Sequence, residues 1–160
     1  EVLMDGSHDI DRCFDVTSEV LKEVFAELNN QKVALNGIVL KPNMVISGMD
    51  AANRADIPTV ASATVKCLSE NVPDEVPGIA FLSGGQTSEE ATGHLNAMNE
   101  MGPHPWQLTF SYGRALQAEP LNVWSGEDGN IPAAQESFIK RSRLNSLART
   151  GNYHPQMEEA

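Results

Sequence analysis

The sequence predicts an α/β fold in which long helices alternate with the short strands of one parallel sheet. Three observations support this prediction. In the helical segments, apolar residues recur every three or four positions. The strand segments are short runs of consecutive apolar residues, as in strands that are buried on both faces. The elements follow one another as helix, strand, helix, strand, helix, strand, helix, helix, an order that forms right-handed βα units.

Composition and charge limit the classes of partner that this chain is expected to bind. The chain has 160 residues, of which 41% are hydrophobic, and a formal net charge of -11 at pH 7. A chain of this length can bury one sizeable core. Its negative charge argues against binding nucleic acid through phosphates and against an anionic membrane surface. The longest apolar runs are about five residues, far short of the roughly 20 that span a bilayer.

The cysteines and histidines give no sign of a disulfide or a metal site. Cys13 and Cys67 lie far apart in segments that are predicted to be helical. Two buried or partly buried free thiols in a reducing compartment are therefore expected, which favours a cytoplasmic location. The four histidines show none of the spacings of metal ligands, so a metal site is not expected.

The first helix and the first strand are predicted from the apolar pattern of residues 9–31 and 33–40. The helical segment carries one apolar stripe and ends at two asparagines. The strand segment has a break at Gly37 and ends where Lys41 is followed by Pro42.

The middle of the chain contains a loop, a helix, a strand and a second helix. Residues 47–56 are rich in Gly, Asp, Asn and Ala and predict a loop. Pro58 suits the first turn of a helix that continues to about Glu70. Residues 78–82 predict the second strand, and Thr87 begins a Thr-x-x-Glu capping box that opens the next helix.

Residues 106–111 predict the third strand, which is followed by a helix from Ala115. Pro120 is expected to kink or break that helix. A last helix is predicted over residues 132–150, and the tail after Gly151 is expected to be loosely ordered. Ala134, Phe138, Leu144 and Leu147 of the last helix are expected to face inward. Its basic residues are expected on a solvated face: Lys140, Arg141, Arg143 and Arg149.

Lys41 stands where the first predicted strand ends, at the edge of a parallel sheet where ligands bind. A lysine in this place is often only a snorkelling side chain or a charge that discourages edge pairing. The alternative is catalytic, because an unprotonated amine can attack a carbonyl and form a Schiff base. At the ordinary pKa of about 10.4, only roughly one lysine in a few thousand is neutral at pH 7. Burial and cationic neighbours can lower the pKa of a lysine by as much as ~3–5 units.

Two glycine-containing loops follow the other two strands. Ser83, Gly84 and Gly85 precede the capped helix, where unobstructed N–H groups and a helix N-terminus favour an anion. The alternative is a tight βα turn that needs a positive φ. These residues also belong to the peptide Leu-Ser-Gly-Gly-Gln, a signature of ABC-transporter ATPases. The chain lacks the G-x-x-x-x-G-K-[ST] loop of those proteins, which argues against that class.

Ser111, Gly113 and Arg114 form the second of these loops. Arg114 offers a fork of donors suited to phosphate. A cation in the first turn of a helix opposes the helix dipole, and an anion between the two loops would relieve this conflict. The alternative is an ordinary surface arginine. In (β/α)8 barrels a phosphate often lies between the loops after strands seven and eight.

Three motifs in this order resemble those of class I fructose-1,6-bisphosphate aldolases. They are Leu-Lys-Pro-Asn-Met-Val at 40–45, Phe-Leu-Ser-Gly-Gly-Gln at 81–86 and Trp-Gln-Leu-Thr-Phe-Ser-Tyr-Gly-Arg-Ala-Leu-Gln at 106–117. Further matches lie at 5–13, 95–99, 133–141 and 145–148. The resemblance implies the C-terminal part of a TIM (β/α)8 barrel, about strands six to eight with their helices, over residues 1–150. A C-terminal tail would occupy residues 151–160.

The resemblance also implies a reaction and the residues that perform it. Lys41 would form a Schiff base with fructose 1,6-bisphosphate, and the products would be dihydroxyacetone phosphate and glyceraldehyde 3-phosphate. Glu1 would be a partner near this lysine. The ligands of the C1 phosphate would be Ser83, Gly84, Gly85, Ser111, Gly113 and Arg114. The family further implies a cytoplasmic homo-oligomer, a tetramer in the family, that acts in glycolysis and gluconeogenesis without a metal or cofactor.

The chain departs from the family pattern in what it lacks. The family's first glutamate on strand five, its aspartate on strand one and its lysine on strand four have no counterpart here, so the chain alone is expected to have little activity. Two alternatives stay open, a sugar-phosphate-binding partial barrel without catalysis and a fragment with no ligand. Uncovered strand edges predict poor solubility or self-association. The last residue is Ala160 rather than the tyrosine that ends animal aldolases.

Overall fold

The computed structural model describes residues 2–159, so that Glu1 and Ala160 lie outside the described residues. Within this range the chain forms five α-helices and three strands. They are α1 (Ile10–Asn30), β1 (Val39–Leu40), α2 (Ile57–Asn71), β2 (Gly78–Phe81), α3 (Ser88–Glu100), β3 (Gln107–Phe110), α4 (Arg114–Trp124) and α5 (Ile131–Ala148). Short 3-10 turns occupy Leu35–Gly37, Asp128–Asn130 and Pro155–Glu159.

The three strands form one parallel sheet in the order β1-β2-β3, which confirms the predicted α/β class. In register, Leu40 pairs with Ile79, and Phe81 pairs with Phe110. Helix α2 packs against α1 and α3, while α3 also packs against α4 and α5. Side chains from the sheet and from these helices form the core, and the largest of them are nearly fully buried: Leu68, Ile79, Phe81, Leu95 and Met98.

Helices α1 and α3 begin at capping residues, at the positions that the sequence predicts. The side chain of Asp9 accepts the N–H of Arg12 at the start of α1. At the start of α3, Thr87 and Glu90 form both hydrogen bonds of the capping box, which confirms that prediction. Such caps satisfy N–H groups that the helix itself leaves unpaired.

The first strand is much shorter than predicted. The sequence predicts a strand over residues 33–40, but only Val39–Leu40 pair with β2. A 3-10 turn closes over Leu35–Gly37 instead, with the N–H of Gly37 donating to the carbonyl of Ala34 at 3.0 Å. Asparagine and glycine favour such turns. Among residues 2–159, β1 pairs with β2 alone at one edge of the sheet, and Val39 is 65% exposed.

The predicted break at Pro120 is wrong, since α4 continues through it to Trp124. A proline inside a helix removes one N–H donor, and α4, which packs against α5, accommodates this loss without ending. The helix ends instead at Ser125, which adopts the left-handed conformation with φ 51°. Exposed apolar side chains of the two helices, among them Leu121 and Phe138, line a groove of about 770 Å³.

The last helix and the tail correct three expectations. Phe138, predicted to face inward, is 42% exposed, whereas Leu144 is buried as predicted. Arg141 is buried rather than solvated, because it pairs with Glu158. The tail is therefore held against the helices and not loosely ordered, and Tyr153 within it is also buried. The division between barrel portion and tail at residue 150 stays a prediction.

Both cysteines of the chain are buried free thiols. Cys13 and Cys67 are free and buried, as predicted, and burial raises the pKa of both. None of the helices within residues 2–159 combines the length and apolar character needed to cross a bilayer.

Candidate active site

The carboxyl ends of the three strands bring the predicted site loops to one edge of the sheet. Lys41 directly follows β1, and the N–H of Leu82, just after β2, donates to the carbonyl of the adjoining Pro42 at 3.0 Å. After β3, the N–H of Ser111 donates to the carbonyl of Phe81 at 2.8 Å. Neighbouring parallel strands must place these loops together, so the predicted site residues after all three strands share one end of the sheet.

The two glycine loops contact each other through Ser83. Its side chain is buried, and its hydroxyl oxygen lies 3.4 Å from the backbone nitrogen of Ala115 in the first turn of α4. Within residues 2–159, the N–H groups of Gly84, Gly85 and Arg114 donate to no protein acceptor. Unpaired N–H groups beside the N-termini of two helices are well suited to an anion.

Gly85 is required by the turn itself. Its φ is +75°, and an added Cβ would lie 2.6 Å from the Cβ of Met4. Both the conformation and the space therefore favour glycine. Gly113, with φ -93° and no atom within 4 Å of an added Cβ, has no such requirement. The alternative interpretation, a tight βα turn, is thus correct for Gly85 and is compatible with an anion at the same loop.

Arg114 is exposed on the first turn of α4 and lines a shallow cavity of about 340 Å³. Gly85 and Gln86 line the same cavity from the other loop. The arginine and the glycine loop are therefore in position to contact one ligand from two sides.

Lys41 is exposed, so the desolvation that its catalytic interpretation requires is absent from the described chain. The physical reason is the width of the sheet. Three strands form an open sheet, whereas a closed barrel with a filled interior needs about eight. The run from Pro42 to Gly48 that follows the lysine is buried, so the backbone that carries Lys41 is fixed even though its side chain is not covered.

Glu1 lies outside the described residues, and its role near Lys41 stays a prediction. The residues that follow it run beside the loop after β1. The N–H of Val2 is 3.4 Å from Oδ1 of Asn43, and the N–H of Met49 donates to the carbonyl of Met4 at 2.8 Å. The start of the described chain therefore lies close to the loop that carries the lysine.

Arg54, which no sequence motif indicates as a site residue, contacts the glycine loop. Its guanidinium donates to the carbonyl of Gly85 at 2.9 Å and to Oε1 of Glu90 at 3.3 Å. No local signal marks it, because it lies in a loop of small and polar residues. Its partners are 31 and 36 positions away in the sequence.

His94 is a second residue beside this loop that no sequence motif indicates. Its ring nitrogen Nδ1 forms a 2.7 Å hydrogen bond with Oε1 of Gln86 in the glycine loop. The ring is only 4% exposed, and burial lowers the pKa of His94 to about 4. The histidine is therefore neutral when it supports the loop at neutral pH.

This lowered pKa predicts a pH dependence of stability. Between an unfolded pKa near 6.5 and the folded pKa of about 4, the unfolded chain binds a proton that the folded chain rejects. The free energy of unfolding should therefore fall as the pH drops through this window, by about 2 kcal/mol at pH 5 from this residue. Urea denaturation of His94→Gln should show that much less loss between pH 7 and pH 5, whereas the exposed control His154→Gln should behave as the parent protein. Equal losses in the parent and His94→Gln would contradict the assignment.

Comparisons with known proteins agree with this geometry. A family model described as fructose-bisphosphate aldolase class-I matches residues 1–160. Fructose-bisphosphate aldolase B of Gallus gallus is 54% identical over 154 residues, which cover 96% of this chain and 42% of the relative. A probable class 1 fructose-bisphosphate aldolase of Xanthomonas axonopodis pv. citri is 48% identical, with 96% and 46% covered.

A solved structure shows the same likeness. It is a ternary co-crystal structure of fructose-bisphosphate aldolase from Plasmodium falciparum in complex with TRAP and a small-molecule inhibitor. The TM-score is 0.91 at 48% identity, and the match covers 95% of this chain and 44% of that one. The chain thus spans less than half the length of these relatives, and its sheet and helices are part of a TIM barrel. On this combination of parallel strand ends, glycine loops and matched sequence, the chain belongs to the class I fructose-bisphosphate aldolase family.

Proposed function

We propose that this chain supplies the Schiff-base lysine and the C1-phosphate site of a fructose-1,6-bisphosphate aldolase. The observation that carries this proposal is the meeting of three loops at one edge of the sheet, where Lys41 follows β1 next to the loop of Ser83, and that loop in turn contacts the start of α4 beside Arg114. A nucleophile and an anion site on neighbouring strand ends match a phosphorylated ketone, whose carbonyl and phosphate are close together.

The lysine would perform the covalent chemistry. The neutral amine of Lys41 attacks C2 of fructose 1,6-bisphosphate, and loss of water gives an iminium ion. The C4 hydroxyl then loses its proton, the C3–C4 bond breaks, and its electron pair moves toward the iminium nitrogen to form an enamine. Glyceraldehyde 3-phosphate leaves. Protonation of the enamine at C3 and addition of water release dihydroxyacetone phosphate and restore the amine.

The two glycine loops would hold the C1 phosphate while this happens. The unpaired N–H groups of Gly84 and Gly85 can donate to phosphate oxygens, and Arg114 can add charge-assisted donors from the opposite loop. Ser83, Ser111 and Gly113 complete the proposed ligand set. When the phosphate is held, C2 of the substrate lies at a fixed distance from the lysine. The reacting atoms are then already positioned for attack.

Cleavage activity should require the other strands of the barrel, because Lys41 is exposed in the described chain. We therefore propose that the chain alone has little cleavage activity and that the other strands of the barrel cover the amine. By the same family membership we propose a cytoplasmic enzyme of glycolysis and gluconeogenesis that forms a homo-oligomer, a tetramer in the family. The buried free thiols Cys13 and Cys67 support a reducing compartment.

The test compares this chain with a completed barrel, in which the N-terminal half of the Xanthomonas axonopodis relative is placed before it. Each protein is incubated with dihydroxyacetone phosphate, reduced with borohydride and mapped by peptide mass spectrometry. We expect a reduced adduct on Lys41 and cleavage of fructose 1,6-bisphosphate in the completed barrel, with little of either in the chain alone. A folded completed barrel without an adduct on Lys41 would refute the proposal.

One observation favours a second candidate function, a phosphate-binding module without catalysis. The glycine loops are formed in this chain while the lysine is exposed. If the completed barrel binds dihydroxyacetone phosphate but gives neither an adduct nor cleavage, this second function is the better description.

A further inference from the structure

We propose that Arg54 is a positioning residue of the phosphate site, which acts by holding the glycine loop in its anion-binding conformation. This inference rests on the proposed function, because it assigns a role within the same site. Within residues 2–159, Arg54 forms no hydrogen bond with Lys41 and none with the N–H or hydroxyl groups of the predicted phosphate ligands. Its contact is with the carbonyl of Gly85, on the acceptor side of the loop.

The guanidinium joins the turn between β2 and α3 to the first turn of α3. It donates to the carbonyl of Gly85 at 2.9 Å and to Oε1 of Glu90 at 3.3 Å. The other carboxylate oxygen of Glu90 accepts the N–H of Thr87 at 2.9 Å. One planar group thus connects the glycine loop to the first turn of the helix that follows it.

The contact between Arg54 and Gly85 matters because the backbone of a glycine rotates easily. Gly85 has a positive φ, and glycine populates several backbone conformations at little cost. The carbonyl that Arg54 binds belongs to the peptide between Gly85 and Gln86, and the N–H of this peptide donates to the carbonyl of Ser83 at 3.2 Å. By holding this peptide, Arg54 restricts rotation at Gly85 and thereby keeps the unpaired N–H groups of Gly84 and Gly85 in place for an anion.

A simpler role must be distinguished from this one. Arg54 and Arg114 line the same cavity of about 340 Å³, so Arg54 could attract phosphate by its charge alone. Its pairing with Glu90 argues against this, because the carboxylate offsets the charge at close range. The two roles make opposite predictions for two substitutions that preserve most of the local structure.

The first substitution, Arg54→Lys, keeps the charge but replaces the two nitrogens that contact Gly85 and Glu90 by a single ammonium on a shorter side chain. The second, Glu90→Gln, removes a negative charge and retains a residue that capping boxes accept. If Arg54 acts by position, both substitutions weaken phosphate binding. If it acts by charge, Arg54→Lys has little effect and Glu90→Gln strengthens binding.

This chain and its variants are titrated with inorganic phosphate. The cleavage kinetics of the same variants are then measured in the completed barrel. We expect Arg54→Lys to raise the Kd for phosphate about tenfold, as for loss of a hydrogen bond to a charged group, and Glu90→Gln to raise it about threefold. KM should rise with the Kd, while kcat changes less than about twofold because Arg54 does not touch the reacting atoms. Lys66→Ala is the matched control, since Lys66 forms an exposed ion pair with Glu70 on α2, and should leave the Kd unchanged.

Other outcomes separate the failure of this inference from the failure of the proposed function. Unchanged phosphate binding in Arg54→Lys, or tighter binding in Glu90→Gln, overturns the role of Arg54 even if Lys41 forms its adduct. Weaker binding in both variants supports the role even if no adduct forms and the aldolase proposal fails. A parent protein that does not bind phosphate overturns the inference.

Discussion

Replacing Lys41 with arginine should abolish the Schiff-base adduct and lower cleavage of fructose 1,6-bisphosphate in the completed barrel by a factor on the order of 10⁴ or more. Arginine keeps the positive charge and much of the length of the side chain. Its guanidinium, however, stays protonated and delocalised under all ordinary conditions and offers no lone pair to a carbonyl. Steady-state kinetics and borohydride trapping measure the two effects.

The same substitution should leave phosphate binding nearly intact. The proposed phosphate ligands lie after β2 and β3, and the contact that joins their loops, between Ser83 and Ala115, does not involve Lys41. Inorganic phosphate should therefore bind Lys41→Arg within about twofold of the parent protein. Lys66→Arg, on the exposed side of α2, is the matched control and should keep full activity. Substantial cleavage by Lys41→Arg would show that another group is the nucleophile.

Local signals in the sequence were sufficient for the features that depend on nearby residues. The capping box of Thr87 and Glu90 is made by residues three positions apart, and the sequence pattern already contains both partners. The joint location of Lys41, Ser83 and Ser111 also followed from sequence, because parallel strands with helical crossovers place their carboxyl ends together. The predicted site required only the order of elements and the residues that end each strand.

Features that depend on distant partners could not be predicted in this way. Nothing near Arg54 indicates that it contacts Gly85, which lies 31 positions later. Arg141 resembles the other basic residues of α5, and only the folded tail gives it Glu158 as a partner. The exposure of Lys41 has a related cause, because its apolar flank predicts a buried strand but burial requires strands that cover it.

The pair of Arg141 and Glu158 should contribute strongly to the attachment of the tail. Both guanidinium Nη atoms contact the carboxylate, at 2.7 and 2.9 Å, and the side chains are 4% and 15% exposed. The hydroxyl of Tyr153 donates to the same carboxylate at 2.9 Å, and Lys140 donates to the carbonyl of Glu158. In a buried pair, removal of one partner leaves the other charge without compensation, at a cost of roughly 3–5 kcal/mol.

Glu158→Ala should therefore lower the free energy of opening of the tail by about 3 kcal/mol. Native-state hydrogen exchange of residues 152–159 in the completed barrel measures this local stability. Arg143→Ala, an exposed arginine on the same helix, should change it by less than about 0.5 kcal/mol.

A double substitution separates the net contribution of the ion pair from the penalty of breaking it. When Arg141 and Glu158 are both replaced by methionine, no buried charge is left unpaired, and most of the loss should be recovered because buried ion pairs often stabilise no more than apolar side chains of similar volume. The lone guanidinium in Glu158→Ala, by contrast, still lies against Thr92 and has lost its counter-charge. If the double variant were as unstable as Glu158→Ala, the ion pair itself would hold the tail, and the cost of an isolated buried cation would not explain the effect.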